Sequence, residues 1–261
     1  MTADMQAAGM GSVDVERVGA VTVITINRPE RRNALDPATM AGIGRALVDA
    51  ETDDAVRCVV LTGAGDKAFC AGLDLRAFAE GGVSMDNLPS PGLDVLLERV
   101  YPKPIIAAIN GAALAGGFEI MLACDLVVAA EHALFGIPEV KRGLVAAGGG
   151  TRLPLRIPLP LALEFGLTGE PVDAVRAREL GLVNRVVPAA DVRREAVALG
   201  ETIAANGPLA VAATKELMWA EVGGMSIAAV GVRTKPVFES EDAREGAVAF
   251  AQRRPPVWRN R

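Results

Sequence analysis

The stretch from Pro104 to Asp125, PIIAAINGAALAGGFEIMLACD, constrains the fold of this chain more than any other segment. An apolar run, Ile105–Ile109, is followed by a turn at Asn110-Gly111. Ala115-Gly116-Gly117 then leads into a predicted helix over Phe118–Cys124. A strand that enters a glycine-rich turn and then a helix directs free backbone N–H groups and the positive end of the helix dipole at one point. The stretch therefore predicts an α/β unit with backbone donors gathered at its turn.

Glu119 lies just inside the predicted helix, on a face that is otherwise apolar. Acidic residues are common in the first turn because they interact favourably with the helix dipole. A carboxylate beside free N–H groups is equally a candidate catalytic group. The stretch by itself leaves both interpretations open.

The chain contains one histidine, His132, and three cysteines, Cys58, Cys70 and Cys124. A mechanism that needs a histidine base or several imidazole ligands would have to use His132, whose surroundings are more typical of a solvated turn. We therefore expect carboxylates to carry any acid–base chemistry, and we expect no metal. The odd number of cysteines, without metal-type spacing, fits a reducing compartment.

The overall composition excludes several classes of protein. The chain is 51% hydrophobic and 23% charged, which is typical of a folded domain with a sizeable core. Its net charge of −5, without a basic run, argues against nucleic acid as a partner. No apolar run approaches about 18 residues, so no membrane span is predicted. Residues 1–12 lack a signal-peptide pattern, and we expect a flexible N-terminus on a cytoplasmic protein.

Recurring strand, turn and helix patterns predict an α/β core over residues 13–190. The apolar runs are continuous enough for strands that are buried on both faces. The predicted elements are a β-hairpin over 13–27, a helix from Asp36 to about Ala50, strands at 58–62, 126–130 and 182–187, and a short helix over Leu93–Val100.

From about Pro188 onward the pattern is helical, and we expect residues 191–261 to form a C-terminal helical region that packs on the core or takes part in oligomerisation with a neighbouring subunit. The candidate helices are 191–205, 208–221, 225–238 and a last helix capped by Ser240. The loop at 81–92, rich in Gly, Ser and Pro, is a candidate for a mobile lid.

Two glycine turns and two glutamates are the candidates for chemistry. The turns at 71–73 and 115–117 can each present a backbone N–H that no side chain shields, and two such donors on one carbonyl oxygen form an oxyanion hole. Glu119 and Glu139, in different environments, can act as acid and base and hold a water between them. The phosphate-loop and dinucleotide-binding spacings are incomplete in this chain.

Over nearly its whole length the chain resembles the crotonase (enoyl-CoA hydratase/isomerase) superfamily. The blocks that carry the resemblance are ITINRPERRNAL, FCAGLDL, NGAALAGGFEIMLACD, FGIPEVKRGLVAAGGGTRLP and SEDAREGAVAFAQRRPPVW. The resemblance implies a crotonase-like spiral of ββα units with a C-terminal helical region. It also implies a homotrimer or a hexamer built as a dimer of trimers.

The resemblance also assigns site residues. It implies that the backbone N–H groups of Leu73 and Gly116 form the oxyanion hole and that Glu119 and Glu139 are catalytic. An acyl-CoA is then the substrate, no separate cofactor is needed, and CoA and the acyl chain are expected at a further set of residues. These are Arg32, Asn33, Ala34, Leu35, Ala71, Gly72, Asp74 and Phe118, with Phe250 and Arg253 expected to close the pocket or reach a neighbour's CoA.

The presence of both glutamates favours an enoyl-CoA hydratase that adds water across the C2=C3 bond of a thioester. An enoyl-CoA isomerase and a hydroxyacyl-CoA dehydratase, such as a carnitinyl-CoA dehydratase, stay open as alternatives. A non-catalytic acyl-CoA-binding protein is the alternative from another class, and a protease-like use of the same architecture would need His132. Two departures from the common hydratase pattern, the bulky Phe118 and the KRGLVAAGGG block, bear on the substrate.

Overall fold

The computed structural model describes residues 8–74, 88–222 and 235–261, and for residues 8–10, 250 and 251 it describes the backbone alone. The strands are β1 (Ala8–Met10), β2 (Val13–Val18), β3 (Val21–Ile26), β4 (Cys58–Gly63), β5 (Ala68–Cys70), β6 (Ile105–Ile109), β7 (Ala112–Leu114), β8 (Leu126–Ala130), β9 (Leu134–Gly136), β10 (Val172–Asp173) and β11 (Arg185–Val187). The α-helices are α1 (Pro37–Thr52), α2 (Asp94–Leu97), α3 (Gly116–Ala123), α4 (Leu159–Thr168), α5 (Ala174–Glu179), α6 (Val192–Ala204), α7 (Pro208–Val222) and α8 (Glu241–Gln252). Short 3₁₀ helices cover Pro29–Arg31, Pro138–Arg142, Gly150–Leu155 and Ala189–Asp191.

The larger sheet has seven strands in the order β1-β2-β3-β4-β6-β8-β11. The β1–β2 and β2–β3 pairs are antiparallel, and all later pairs are parallel. β4 and β6 are buried along their whole length. This burial explains why their sequences are continuous apolar runs and do not alternate with polar residues. Helix α1 packs on β2 and β3, and α6 packs on β3, β4, β6 and β8.

The smaller sheet has four strands in the order β10-β9-β7-β5. Strands β5, β7 and β9 are parallel to one another, and β10 is antiparallel to β9. Parallel strands end at the same edge of a sheet, so the segments that follow β5, β7 and β9 emerge side by side. This edge carries the candidate site.

The predicted elements of the core are present in the structure. The hairpin, the strands at 58–62 and 126–130 and the helix after Asp36 are confirmed, and Asp36 accepts a hydrogen bond from the Thr39 N–H at 2.8 Å. The last strand is shorter than predicted and begins at Arg185. Within residues 1–12, residues 8–10 pair with β2 as β1, and the predicted flexibility of this segment stays a prediction.

The C-terminal helices follow the predicted order. α6 and α7 match two of the candidates, and Ser240 caps α8 by accepting a hydrogen bond from the Ala243 N–H at 3.0 Å. The candidate at 225–238 falls largely on residues 223–234, and most of the proposed lid falls on residues 75–87. Both ranges lie outside the described residues.

No single helix among the described residues is long and apolar enough to cross a membrane. One pair, Ala189–Ala204 with Pro208–Val222, passes that test of length and composition when counted together, although the two are bent by 108°.

Candidate active site

The segments that follow β5, β7 and β9 meet at one edge of the smaller sheet. The first contains Leu73, the second contains Gly116 and Glu119, and the third contains Glu139. Because β7 lies between β5 and β9, the second segment lies between the other two. The four residues predicted to carry the chemistry are therefore brought to one place by strand order.

The backbone nitrogens of Leu73 and Gly116 lie close together. A methyl group placed on Gly116 would be 3.8 Å from the Leu73 nitrogen, and one placed on Gly72 would be 3.0 Å from the Gly116 nitrogen. Leu35 donates to the Gly72 carbonyl at 2.8 Å and accepts from the Asp74 N–H at 2.9 Å. In a parallel bridge this pattern turns the Leu73 N–H away from Leu35. The Gly116 N–H belongs to the first turn of α3, where no helical carbonyl can accept it.

Glycine is required at two positions around these donors. Gly72 has φ +90°, a conformation that side chains disfavour, and a Cβ there would also be 2.7 Å from the Cβ of Ala115. A Cβ on Gly117 would be 2.1 Å from the Cys70 carbonyl oxygen. Because these side chains are missing, α3 can approach the end of β5, and the backbone nitrogens of Leu73 and Gly116 lie close together.

Glu119 lies in the first turn of α3 with only 7% of its surface exposed. Its Oε1 accepts a hydrogen bond from the Gly150 N–H at 2.9 Å. Burial raises the pKa of this carboxyl group, while hydrogen bonding from the Gly150 and Gly148 backbones acts in the opposite direction. Glu119 is therefore a buried carboxylate held by backbone donors, and the helix dipole is not its sole partner.

Glu139 lies in the first turn of the 3₁₀ helix Pro138–Arg142. Its Oε2 is buried, and no described residue makes a hydrogen bond to it. Burial raises the pKa of this carboxyl group, and the charge of Glu119 raises it further, while Arg142 lowers it. The charge of Glu119 therefore acts on Glu139, and the two carboxyl groups have different surroundings, as an acid and a base in one site require.

A model of the family described as "Enoyl-CoA hydratase/isomerase" matches residues 16–261. The chain belongs to the enoyl-CoA hydratase/isomerase family. A carnitinyl-CoA dehydratase from Salmonella enteritidis PT4 is 40% identical over 259 residues, which cover 96% of this chain and 99% of the relative. A carnitinyl-CoA dehydratase from Salmonella typhi is 40% identical over 260 residues.

Solved structures of the enoyl-CoA hydratase/isomerase family have the same fold. The enoyl-CoA hydratase EchA1 from Mycobacterium marinum is 46% identical, with a TM-score of 0.89 over 97% of this chain and 100% of that chain. The carnitinyl-CoA hydratase from Mycobacterium avium is 44% identical, with a TM-score of 0.77 over the same shares. The resemblance to the crotonase superfamily and the α/β crotonase-like fold are confirmed.

In this family member the segment 32–35 is joined directly to the residues beside the donors. The Ala71 N–H donates to the Arg32 carbonyl at 3.1 Å, and the Leu35 N–H donates to the Gly72 carbonyl. Arg32 and Asn33 both have left-handed backbones, with φ of 53° and 55°. The predicted CoA-binding segments are therefore neighbours in space, while their role in binding stays a prediction.

An ion-pair cluster supports this junction. Arg28 lies 3.0 Å from Asp36 and 3.3 Å from Asp74, and it also donates to the Ala34 carbonyl. All three charged side chains are largely buried. Arg28 was not predicted as part of the site, because its role depends on contacts with residues far away in the sequence.

The predicted aromatic contacts have different outcomes. We expected Phe118 to reshape the acyl pocket, but its ring is fully buried and stacks on Phe165 of α4, with the ring centroids 6.1 Å apart. Phe118 therefore packs one helix on another, and its effect on the acyl pocket stays a prediction. The side chain of Phe250 lies outside the described residues, and Arg253 is exposed with a left-handed backbone at the end of α8.

The glycine cluster at 146–151 lies against the carboxylate of Glu119, a contact that we did not predict from the sequence. Gly150 donates to Glu119, and Gly148 lies against the same carboxylate. A run of three glycines soon after the second glutamate was the available signal. The sequence alone does not reveal that this run folds back onto the first glutamate.

Two other polar contacts among the described residues lie away from this edge. In a groove between α7 and the core, Lys215 lies 2.6 Å from Asp125, and the Trp219 indole donates to Asp125 at 3.0 Å. His132 is exposed, with Nε2 2.8 Å from the Asp66 carbonyl. Within the described ranges, no group of three or more His, Cys, Asp or Glu side chains could hold a metal. The edge with Glu119 and Glu139 is therefore the stronger candidate.

Proposed function

We propose that this chain is an enoyl-CoA hydratase-type lyase that adds water across the C2=C3 bond of a 2-enoyl-CoA thioester. One observation carries the proposal: strand order gathers two backbone N–H groups, one buried carboxylate and one half-buried carboxylate at a single edge. Hydration requires these groups. Negative charge develops on the thioester oxygen, which the N–H donors stabilise, while a water loses one proton and C2 gains another, which the two carboxyl groups transfer.

The oxyanion hole is assigned to the backbone N–H groups of Leu73 and Gly116. These donors belong to a strand end and a helix start, so they need no rearrangement as the enolate forms. A single donor of this kind contributes a few kcal/mol to stabilising a transition state, on the order of 3. The positive end of α3 adds to this stabilisation.

The two glutamates are assigned different proton states. Backbone donors favour the ionised form of Glu119, so Glu119 accepts a proton from the attacking water as its oxygen bonds to C3. No described residue donates a hydrogen bond to the buried Oε2 of Glu139, and burial and the charge of Glu119 raise its pKa, so Glu139 supplies the proton to C2. One turnover moves a proton from Glu139 to Glu119, and exchange with solvent restores the starting state.

The CoA portion is assigned to the junction of segments 32–35 and 71–74, which leads directly to the donor pair. CoA is part of the substrate, and the mechanism needs no metal or further cofactor. We also propose a cytoplasmic homotrimer or hexamer, with residues 191–261 taking part in assembly and neither nucleic acid nor a membrane as a partner.

A test of the mechanism is to replace either glutamate by glutamine. Glu119→Gln and Glu139→Gln should each lower the hydration rate of crotonyl-CoA by about 10²-fold or more, because general acid–base catalysis contributes about this much. The rate is followed by loss of the thioester enone absorbance. Glu179→Gln on exposed α5 is the matched control and should leave the rate unchanged. Full activity in either site variant would refute the two-carboxylate mechanism.

A carnitinyl-CoA dehydratase is the second candidate function. It is favoured by the relatives of that name, which are 40% identical over nearly the whole chain. An enoyl-CoA isomerase uses the same oxyanion hole but moves a proton between carbons without adding water. A panel of enoyl-CoA, carnitinyl-CoA and 3-enoyl-CoA thioesters distinguishes the three. Binding without turnover of every thioester would instead support the non-catalytic acyl-CoA-binding protein.

A further inference from the structure

The loop that precedes the 3₁₀ helix Gly150–Leu155 contains three glycines in a row, and each has a different reason to lack a side chain. Gly149 has φ +131°, where any side chain is strained. A Cβ on Gly150 would be 2.4 Å from the Cβ of Ala146. Gly148 has neither problem, because its φ is ordinary and its nearest neighbours belong to another part of the chain.

A Cβ on Gly148 would meet the carboxylate of Glu119. It would be 2.6 Å from Oε2, 3.2 Å from Cδ and 3.6 Å from Oε1, and these three atoms are its nearest contacts. Real Cβ atoms essentially never approach to 2.6 Å, so one of the two groups would have to move. The carboxylate is the far end of a flexible side chain, so the carboxylate is the group that moves.

The position of that carboxylate matters because its other oxygen is already engaged. Oε1 accepts the Gly150 N–H at 2.9 Å in a buried setting. Pushing Oε2 away from Gly148 rotates the group and lengthens or breaks this bond. A buried carboxylate that loses a donor becomes harder to ionise.

We propose that Gly148 is a positioning residue for Glu119, and that the space left by its absent side chain holds the carboxylate in the orientation the reaction needs. This inference rests on the proposed function in assigning Glu119 as the base. It goes beyond that function by identifying a residue without a functional group that controls both the placement and the proton affinity of the base.

The kinetic test is Gly148→Ala. A displaced base misaligns the attacking water, and a misplacement of about 1 Å costs on the order of 10²-fold in rate. We expect kcat for crotonyl-CoA to fall by about 10- to 100-fold while KM changes little, since CoA binds elsewhere. The acidic limb of the kcat/KM profile should move to higher pH, because Glu119 loses hydrogen-bond stabilisation of its ionised form.

Two further variants separate positioning from a general structural effect. Gly166→Ala on α4 is the matched control, since its added methyl would make an ordinary 3.7 Å contact with Ile137, and it should leave kcat and the pH profile unchanged. In a Glu119→Gln background, Gly148→Ala should cause no further loss. An equal loss with and without Glu119 would overturn the proposal, as would a Gly148→Ala variant that fails to fold, because the carboxylate would then not be the group that yields.

A spectroscopic titration keeps this test independent of the proposed function. With glutamate labelled with ¹³C at its side-chain carboxyl, the infrared band that is missing in Glu119→Gln reports the ionisation of Glu119. Its midpoint should be higher in Gly148→Ala than in the unmodified protein. If the wild-type protein hydrates no enoyl-CoA but the midpoint is higher in Gly148→Ala, the function is refuted and the positioning role is supported. An active protein with unchanged midpoint and kcat in Gly148→Ala would refute the positioning role alone.

Discussion

At the scale of single residues, Glu119 and Glu139 differ in what surrounds their oxygens. Glu119 is nearly inaccessible and accepts a backbone hydrogen bond, whereas Glu139 is half-buried and has an Oε2 without a donor among the described residues. Burial raises the pKa of both groups. Groups with shifted pKa values in a shared site are typical of proton transfer, and here each shift has a physical cause in the fold.

The same shifts predict a cost in stability. A carboxyl group whose pKa is raised in the folded state holds its proton more tightly when folded, so stability falls as pH rises from the ordinary glutamate range through the raised pKa. Glu119→Gln removes this loss and keeps an acceptor oxygen for Gly150. The variant should therefore have a higher Tm than the wild type at pH 7, with the difference shrinking towards pH 4.5. A lower Tm at pH 7 would mean that hydrogen bonds from the backbone stabilise the ionised carboxylate of Glu119 more than burial destabilises it.

The three cysteines illustrate residues that the fold makes inert. All are buried, and burial raises the pKa of Cys58 and of Cys70 to about 12. Thiols with such values are not ionised near neutral pH, and the thiolate is the nucleophilic form. Their role is packing, in agreement with the prediction that carboxylates carry the chemistry.

At the scale of elements, the start of α3 combines a close approach with backbone strain. Gly117 lies against the Cys70 carbonyl, while Ala115, which precedes the helix, has φ 51° and ψ −127°. A residue other than glycine in such a conformation costs of order 1–3 kcal/mol. The contacts of α3 with its neighbours therefore hold Ala115 in a strained conformation that lowers local stability.

Opposite substitutions at this helix start should have opposite effects. Gly117→Ala should destabilise the protein by several kcal/mol, about 3 or more, because the backbone oxygen of Cys70 cannot move out of the way. Ala115→Gly should raise stability by about 1 kcal/mol, since it relieves the strained φ. Urea unfolding at neutral pH measures both. A neutral Gly117→Ala would contradict the close packing of α3 on β5.

At the scale of the whole molecule, Asp125 connects the core to the C-terminal helices. It accepts hydrogen bonds from the Ile105 N–H at 2.8 Å and the Trp219 indole at 3.0 Å, and it pairs with Lys215 at 2.6 Å. Arg156 lies over the Trp219 ring at 4.8 Å. One side chain just after α3 thus joins β6 of the core to α7.

Asp125→Ala should destabilise the folded protein by about 3–5 kcal/mol. The substitution leaves the Lys215 ammonium, whose side chain is 9% exposed, without its counter-ion, and breaking a buried pair carries a cost of this size. Urea unfolding followed by tryptophan fluorescence and by circular dichroism measures the loss. Glu179→Ala, which breaks an exposed pair with Arg176, is the control and should cost about 1 kcal/mol or less. Equal effects of the two substitutions would refute the anchoring role.

Local sequence patterns predict most elements of the core, and the family resemblance names the candidate chemical groups. Strands such as Ile105–Ile109 and the capped helix after Asp36 follow from local apolar patterns and capping, which need no distant contacts. The ordered series of family blocks identified Leu73, Gly116, Glu119 and Glu139 as candidates. Their roles stay predictions until the variants are measured.

Which of these groups come into contact, and how deeply each is buried, depends on the tertiary structure. The order β9-β7-β5 places Glu119 between the other two segments, and the loop at 148–150 folds back onto its carboxylate across about thirty residues of sequence. Burial of Phe118 against Phe165 likewise depends on how α3 packs on α4. Distances and desolvation of this kind depend on long-range packing, and a linear pattern contains no measure of them.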